Sequence, residues 1–232
     1  MISNIKALTF DTGGTILDWH NGFKLGFENI KKKYALDFDS ASFANLMREK
    51  SIKKVTSQSY EKLINFDKAH ELAVEEIVKE KKLDISSEDK KSLHSTFPSK
   101  LKVWPDFLEP FNSMKRNYYC ISFTLLSNRL VYMNSKSNNI YWDLVLSCES
   151  LEVYKPSVEA YTKTSKLLQF EPDECLMVAC HSFDLNAAKK AGFRTAFVKR
   201  DKEWGHNTKI NVDGDYDFVV DNFSQLKDFL NC

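Results

Sequence analysis

The stretch Ile5-Lys6-Ala7-Leu8-Thr9-Phe10 runs directly into Asp11-Thr12-Gly13-Gly14-Thr15. A short apolar run closed by a polar, glycine-rich turn reads as a buried strand with a carboxylate at its carboxyl end. The pattern recurs. Residues 118–126 form an apolar, β-prone run that ends at Ser127-Asn128, and 143–146 form a shorter one. Residues 175–179 end at Cys180-His181, and 195–198 and 218–220 complete the set. Helical spacing lies between these runs at 158–168, at 185–191 before Gly192, and at 226–230. Strands alternating with helices across short loops predict parallel βαβ units. The expected fold class is therefore α/β, a Rossmann-like doubly wound parallel sheet. Ligands in such sheets bind at the carboxyl ends of the strands, where Asp11, Ser127 and the 180–184 segment fall.

Outward from that core, residues from about 20 to 105 have a different character, rich in Lys, Glu, Leu, Ile and Ala. Phe43, Leu46 and Met47 recur at helical spacing, as do Leu63, Phe66, Ala69 and His70, then Ala73, Ile77 and Val78. An all-helical insert is expected over 20–105, with the core domain on 1–19 and 106–232. The charged runs Lys31-Lys32-Lys33 and Glu80-Lys81-Lys82 read as a solvated outer face.

The chain has 232 residues with 33 Lys+Arg against 32 Asp+Glu, a balance that argues against a dedicated nucleic-acid binder. No apolar run reaches the ~18 residues of a membrane span, and the first ten residues are too short and polar for a signal peptide. A cytoplasmic protein with no membrane partner is expected. The five cysteines are an odd number without a CxxC pair, so neither a disulfide framework nor a structural zinc site is expected.

Asp11 is the first candidate for chemistry. A carboxylate before a glycine-rich turn can act as a nucleophile while backbone N–H groups converge on a bound anion; the same five residues also suit a simple turn cap. Lys155, fixed by Pro156, would keep such a carboxylate ionised, although a Lys-Pro pair also suits a surface turn. Asp184 follows a strand end and could equally cap a helix. Neither Cys180–His181 nor His181–Ser182 makes a convincing nucleophile–base pair, since adjacent residues rarely face each other usefully.

In order, Asp11, Ser127-Asn128, Lys155-Pro156 and Asp184 resemble the four motifs of the haloacid dehalogenase superfamily. The helical insert sits where that superfamily carries its cap domain. Within it, the chain resembles the type II 2-haloacid dehalogenases. Phosphatases of the superfamily carry a second Asp two positions after the nucleophile, and here that position is Gly13. They also hold Mg²⁺ with acidic residues in the last motif, where His181 stands. The resemblance implies that Arg48 points at the halogen, that Phe66 lines the pocket, and that Tyr161 sits beside Lys155. It also implies that Asn128 donates to the departing halide. Thr15 and Ser127 would hold the substrate carboxylate, with His181 and Phe183 among the substrate-binding residues. Gly13, Ala179 and His181 depart from the Tyr, Ser and Asn that many members of the group have.

The expected activity is metal-independent, cofactor-free hydrolysis of a short 2-haloalkanoic acid through an ester on Asp11. Asp184 and Lys155 would activate water for the second step. A homodimer is implied by the resemblance alone. The alternatives are a Mg²⁺-dependent phosphatase or phosphonatase-like hydrolase, and a binding protein that keeps the fold with little turnover.

Overall fold

The computed structural model describes residues 4–59, 62–205 and 210–232. Each of the three ranges expected for core and insert therefore contains a few residues outside the description. Six strands form one parallel sheet in the order β5-β4-β1-β6-β7-β8. These are β1 (Ala7–Phe10), β4 (Tyr119–Thr124), β5 (Leu144–Ser147), β6 (Cys175–Ala179), β7 (Arg194–Val198) and β8 (Phe218–Val220). All four residues of β1 are buried, which suits a strand paired on both sides and covered on both faces. Its register sets Phe10 beside Ser122 of β4 and Val178 of β6. The sequence order changes direction at β1, with β4 on one side and β6 on the other. The crevice beyond their carboxyl ends is thus the topological switch point of the sheet.

On one face of β1, Phe10 meets the rings of Phe107, Phe111, Trp142 and Phe223 at centroid distances of 5.7–6.3 Å. This cluster seats α5 (Leu108–Met114) and α10 (Phe223–Phe229) against the sheet. Phe10 is fully buried, so truncation to Ala would cost about 3–5 kcal/mol.

After the Asp11 turn the chain leaves the sheet through β2 (Leu17–Asp18) and returns through β3 (Lys102–Val103), which pair antiparallel. Between these crossings lie α1 (Trp19–Lys33), α2 (Ser40–Thr56) and α3 (Phe66–Glu80), with α2 packed on both neighbours. Each start has a chemical cause: the Asp18, Asp39 and Asn65 side chains accept from the first free N–H groups of the three helices. α4 (Ser87–Lys91) runs into a single π turn over Ser92–Thr96. Among the described residues, no helix is long and apolar enough to cross a membrane.

Candidate active site

Asp11 leaves β1 with its N–H bonded to the Val178 carbonyl, and the following turn closes through Ile16 and Leu17 N–H groups on the Thr12 carbonyl. Thr12 and Thr124 share a 2.7 Å hydroxyl contact that ties this turn to the end of β4. Thr15, at the far side of the turn, donates to Asp11 Oδ2 at 2.8 Å and accepts from Cys180 N–H at 3.0 Å. Three strand ends are thereby locked around one carboxylate.

Lys155 reaches this point from the loop before α8 (Val158–Leu168). Its ammonium donates to Asp11 Oδ1 at 3.1 Å, to Asp184 Oδ2 at 2.6 Å and to the Phe123 carbonyl at 3.0 Å. All three donors are used, and the side chain is fully buried. Tyr161 on α8 donates to Asp184 Oδ1 at 2.5 Å, holding the carboxylate from its other side. Asp184 occupies the third position of α9 (Ser182–Lys190) rather than its cap, which is His181.

The electrostatics follow from this packing. Burial alone would push Asp11 toward its neutral form, but Lys155, His181 and Thr15 outweigh burial and hold the carboxyl below the usual range. Burial also works against the Lys155 charge, and the two carboxylates overcome it, raising the ammonium above the ordinary lysine value. Asp184 moves the other way. Burial and the nearby Asp11 raise it, against the pull of Lys155. Of two carboxylates on one ammonium, Asp11 is the more firmly ionised and Asp184 the more basic.

Arg48 descends from α2 and donates from Nη2 to the Gly13 carbonyl at 2.9 Å. Its guanidinium lies 5.3 Å from the Trp19 ring and 5.7 Å from the Phe66 ring. Burial lowers its pKa against the pull of Glu203 and Asp11. Asp11, Gly13, Arg48, Phe66, His181 and Phe183 enclose, with apolar neighbours, a cavity of about 10 Å³. That is room for about one water, so the cap is closed over Asp11. A larger groove of about 790 Å³ between Asn65, Lys68 and Glu149 holds neither Asp11 nor Lys155.

His181 faces Asp11 Oδ2 with Nδ1 at 3.3 Å and Glu203 Oε1 with Nε2 at 2.9 Å, while Phe183 stacks on its ring. Burial would lower the imidazole pKa, but Cys180, Glu203 and Asp11 raise it well above the ordinary value. Glu203 is itself buried and accepts from Trp19 Nε1 at 2.9 Å. Gly14 makes this approach possible: it has φ +99°, and a Cβ there would stand 2.2 Å from Glu203 Oε1. Glu203 was not among the expected site residues, because it follows Arg200-Asp201-Lys202 in a stretch that reads as solvated surface.

Two expected members stand apart from this cluster. Ser127 accepts from Leu130 N–H and donates to Asp67 of the cap at 2.5 Å. Asn128 gives its side-chain amide to Glu149 and Ser150, and Glu149 also takes Asn65 Nδ2 from the cap. Their side chains therefore tie cap to core and brace the segment after β5.

Magnesium, which the superfamily resemblance implies for phosphatases, finds no suitable donor set here. Asp11 Oδ1 faces Lys155, Oδ2 faces Thr15 and His181, and the Gly13 carbonyl takes Arg48. Asp184 takes Lys155 and Tyr161. Mg²⁺ needs free hard oxygens in an octahedral array, and these oxygens already face proton donors.

A parallel sheet with a buried, ion-paired carboxylate at its switch point, under a helical cap, is the architecture of a capped α/β hydrolase. Residues 9–198 match the family described as haloacid dehalogenase-like hydrolase, and the chain belongs to that family. It is 24% identical over 210 residues to (S)-2-haloacid dehalogenase 4A of Burkholderia cepacia, covering 86% of this chain and 85% of that protein. The crystal structure of the defluorinating L-2-haloacid dehalogenase Rha0230 superposes with a TM-score of 0.90 at 25% identity, covering 98% of this chain and 96% of that one. The pyrophosphatase PpaX of Bacillus cereus (strain B4264) is 22% identical over 231 residues, covering 98% and 97%. Dehalogenases and phosphate-releasing enzymes thus both stand among the relatives.

Proposed function

We propose that the protein hydrolyses short 2-haloalkanoic acids without a metal, through an ester on Asp11. The observation that carries this reading is the pairing of Gly13 with Arg48. A Cβ at position 13 would lie 3.1 Å from Arg48 Nη2, so a guanidinium fills the place beside the nucleophile where the phosphatases of the superfamily project a second Asp. A departing alcohol needs a proton; a departing halide needs only a cation or donor to receive it. Arg48 supplies that, and the enclosing rings of Phe66 and Phe183 keep bulk water away.

In the first step an Asp11 oxygen attacks C2 in line, the carbon–halogen bond breaks, and halide leaves toward Arg48. Lys155 stabilises Asp11 before attack and loses part of that partnership once the ester forms. Asp184, the more basic of the pair, then takes a proton from water as it attacks the Asp11 carbonyl carbon. Tyr161 and Lys155 hold Asp184 in place for this step. The tetrahedral adduct collapses with the alkoxide as leaving group; protonated Asp184 returns its proton to that oxygen to give the 2-hydroxy acid, and the remaining water proton leaves to solvent as Asp11 ionises.

Thr15 and Ser127 are assigned to the substrate carboxylate, which requires Thr15 to exchange its bond to Asp11, and Ser127 its bond to Asp67, for one to substrate. The enclosed cavity is too small for a haloacid, so the cap over 20–105 opens to admit it and closes for the first step. Haloacids and phosphate esters assayed with Mg²⁺ and with EDTA test the reading. Turnover of a 2-haloacid that EDTA leaves unchanged is expected. Phosphate-ester turnover that needs Mg²⁺ and exceeds any haloacid activity would overturn it.

A further inference from the structure

Beside the Lys155 cluster, three side chains with metal-ligating atoms converge and have no role in the steps above. Cys180 Sγ lies 3.5 Å from His181 Nε2 and 3.7 Å from Glu203 Oε2, and His181 Nε2 lies 2.9 Å from Glu203 Oε1. Tetrahedral zinc, with a thiolate at about 2.3 Å and N or O ligands near 2.0 Å, sets its ligand atoms roughly 3.3–3.6 Å apart. Cys180 Sγ and His181 Nε2 stand at that spacing, and the three ligand atoms, one per side chain, lie within 4.8 Å of one another, so small side-chain shifts bring one Glu203 oxygen into place.

The surroundings are those of a built site. His181 Nδ1 faces the Asp11 carboxylate at 3.3 Å, the outer carboxylate partner that a zinc-bound imidazole usually has. Trp19 Nε1 fixes Glu203, and Thr15 fixes the Cys180 backbone. A cavity of about 320 Å³, lined by all three residues, leaves room for a water as fourth ligand. A thiol with an imidazole selects zinc over magnesium.

We propose that Cys180, His181 and Glu203 form a zinc-binding site whose occupation inhibits the hydrolase by fixing the Nδ1–H of His181 on Asp11 Oδ2, which ties up that carboxylate oxygen. On binding, the Cys180 thiol loses its proton to solvent, as does the nitrogen of His181 that becomes a ligand, and no electron is transferred. Inhibition rests on the role of Asp11 proposed above, whereas binding does not.

Cobalt(II) is the spectroscopic probe, added to the full-length, metal-stripped protein. One equivalent should give tetrahedral d–d bands and a near-ultraviolet thiolate-to-cobalt band, both abolished when zinc displaces the cobalt. Cys180→Ser should abolish the thiolate band, and Glu203→Gln should weaken binding at least about tenfold. If Glu203→Gln fails to fold, Cys180→Ser and Cys180→Ala carry the test. Zinc should lower haloacid turnover in the unmodified protein far more than in Cys180→Ser, each relative to its own metal-free rate, with recovery on chelation. No thiolate band, or one that persists in Cys180→Ser, would overturn the site; binding that leaves turnover unchanged would overturn the inhibition. A protein that gives the bands and turns over no haloacid would keep the zinc site and instead refute the dehalogenase reading.

Discussion

The guanidinium of Arg48 and the absent side chain of Gly13 share one space: Arg48 donates to the Gly13 carbonyl at 2.9 Å, and a Cβ on that residue would sit 3.1 Å from the same nitrogen. Gly13→Ala should therefore displace Arg48 from the halogen side of Asp11 and lower kcat/KM for a 2-haloacid by about tenfold. Arg48→Ala removes the charge altogether and should cost ~2–3 kcal/mol in kcat/KM, the scale of a charge-assisted hydrogen bond. Arg48→Lys should recover little, since an ammonium lacks the planar fork. Steady-state kinetics on folded variants check this. A normal kcat/KM in Arg48→Ala would remove Arg48 from the reaction.

Asp67 sets a second relationship, because it takes the Ser127 hydroxyl that the substrate carboxylate is meant to use, and it also pairs with Arg129. Asp67→Ala frees Ser127 and removes a negative charge near the site. KM for a haloacid should fall about two- to tenfold, the scale of one net hydrogen bond, with kcat changed less. A raised KM would show that the contact serves instead to hold the cap shut.

His70 carries the clearest pH dependence of stability. It is buried in α3 between the rings of Phe23 and Phe66, and neither ring nitrogen has a hydrogen-bond partner among the described residues. Burial, with Arg48 on α2 as the next cause, pushes its pKa down to about 3; Asp67 on α3 opposes this, while His94 and Arg129 add small depressions. The native state keeps the ring neutral where the unfolded chain, with a histidine near 6.5, binds a proton. Stability is thus complete above about pH 6.5 and falls as pH drops toward 3, by up to ~1.4 kcal/mol per unit. His70→Phe should flatten that part of the curve relative to the parent in urea unfolding. Parallel curves between pH 6.5 and 4 would mean that the native ring is protonated.

The strands of the sheet were legible because each is a short apolar run ending in a polar turn. Cys175–Ala179 and Phe218–Val220 fall where periodicity put them, and α8 matches its expected span. The two-residue strands β2 and β3 were not legible, since Leu17-Asp18 and Lys102-Val103 are too short to show alternation. The meeting of Asp11, Lys155 and Asp184 at one point was expected from the ordered motifs that resemble the superfamily's. Glu203 was not, because its burial depends on Trp19 and the left-handed Gly14, and neither contact leaves a local mark. The side-chain partners of Ser127 and Asn128 were also hidden, since Asp67 and Glu149 arrive from elements distant in sequence.

The covalent step on Asp11 is tested most directly by following oxygen through a single turnover in ¹⁸O water, with enzyme in excess over haloacid. An ester on Asp11 places a carboxylate oxygen in the product, and water attacking the carbonyl carbon returns a solvent oxygen to the enzyme. The label should appear in the peptide that contains Asp11 and be largely absent from the hydroxy acid. In Asp184→Asn, the same peptide should gain the mass of the bound carboxyalkyl group as the ester accumulates. Label found in the first-turnover hydroxy acid, with Asp11 unlabelled, would mean that water attacks C2 itself, and would contradict the nucleophilic role of Asp11.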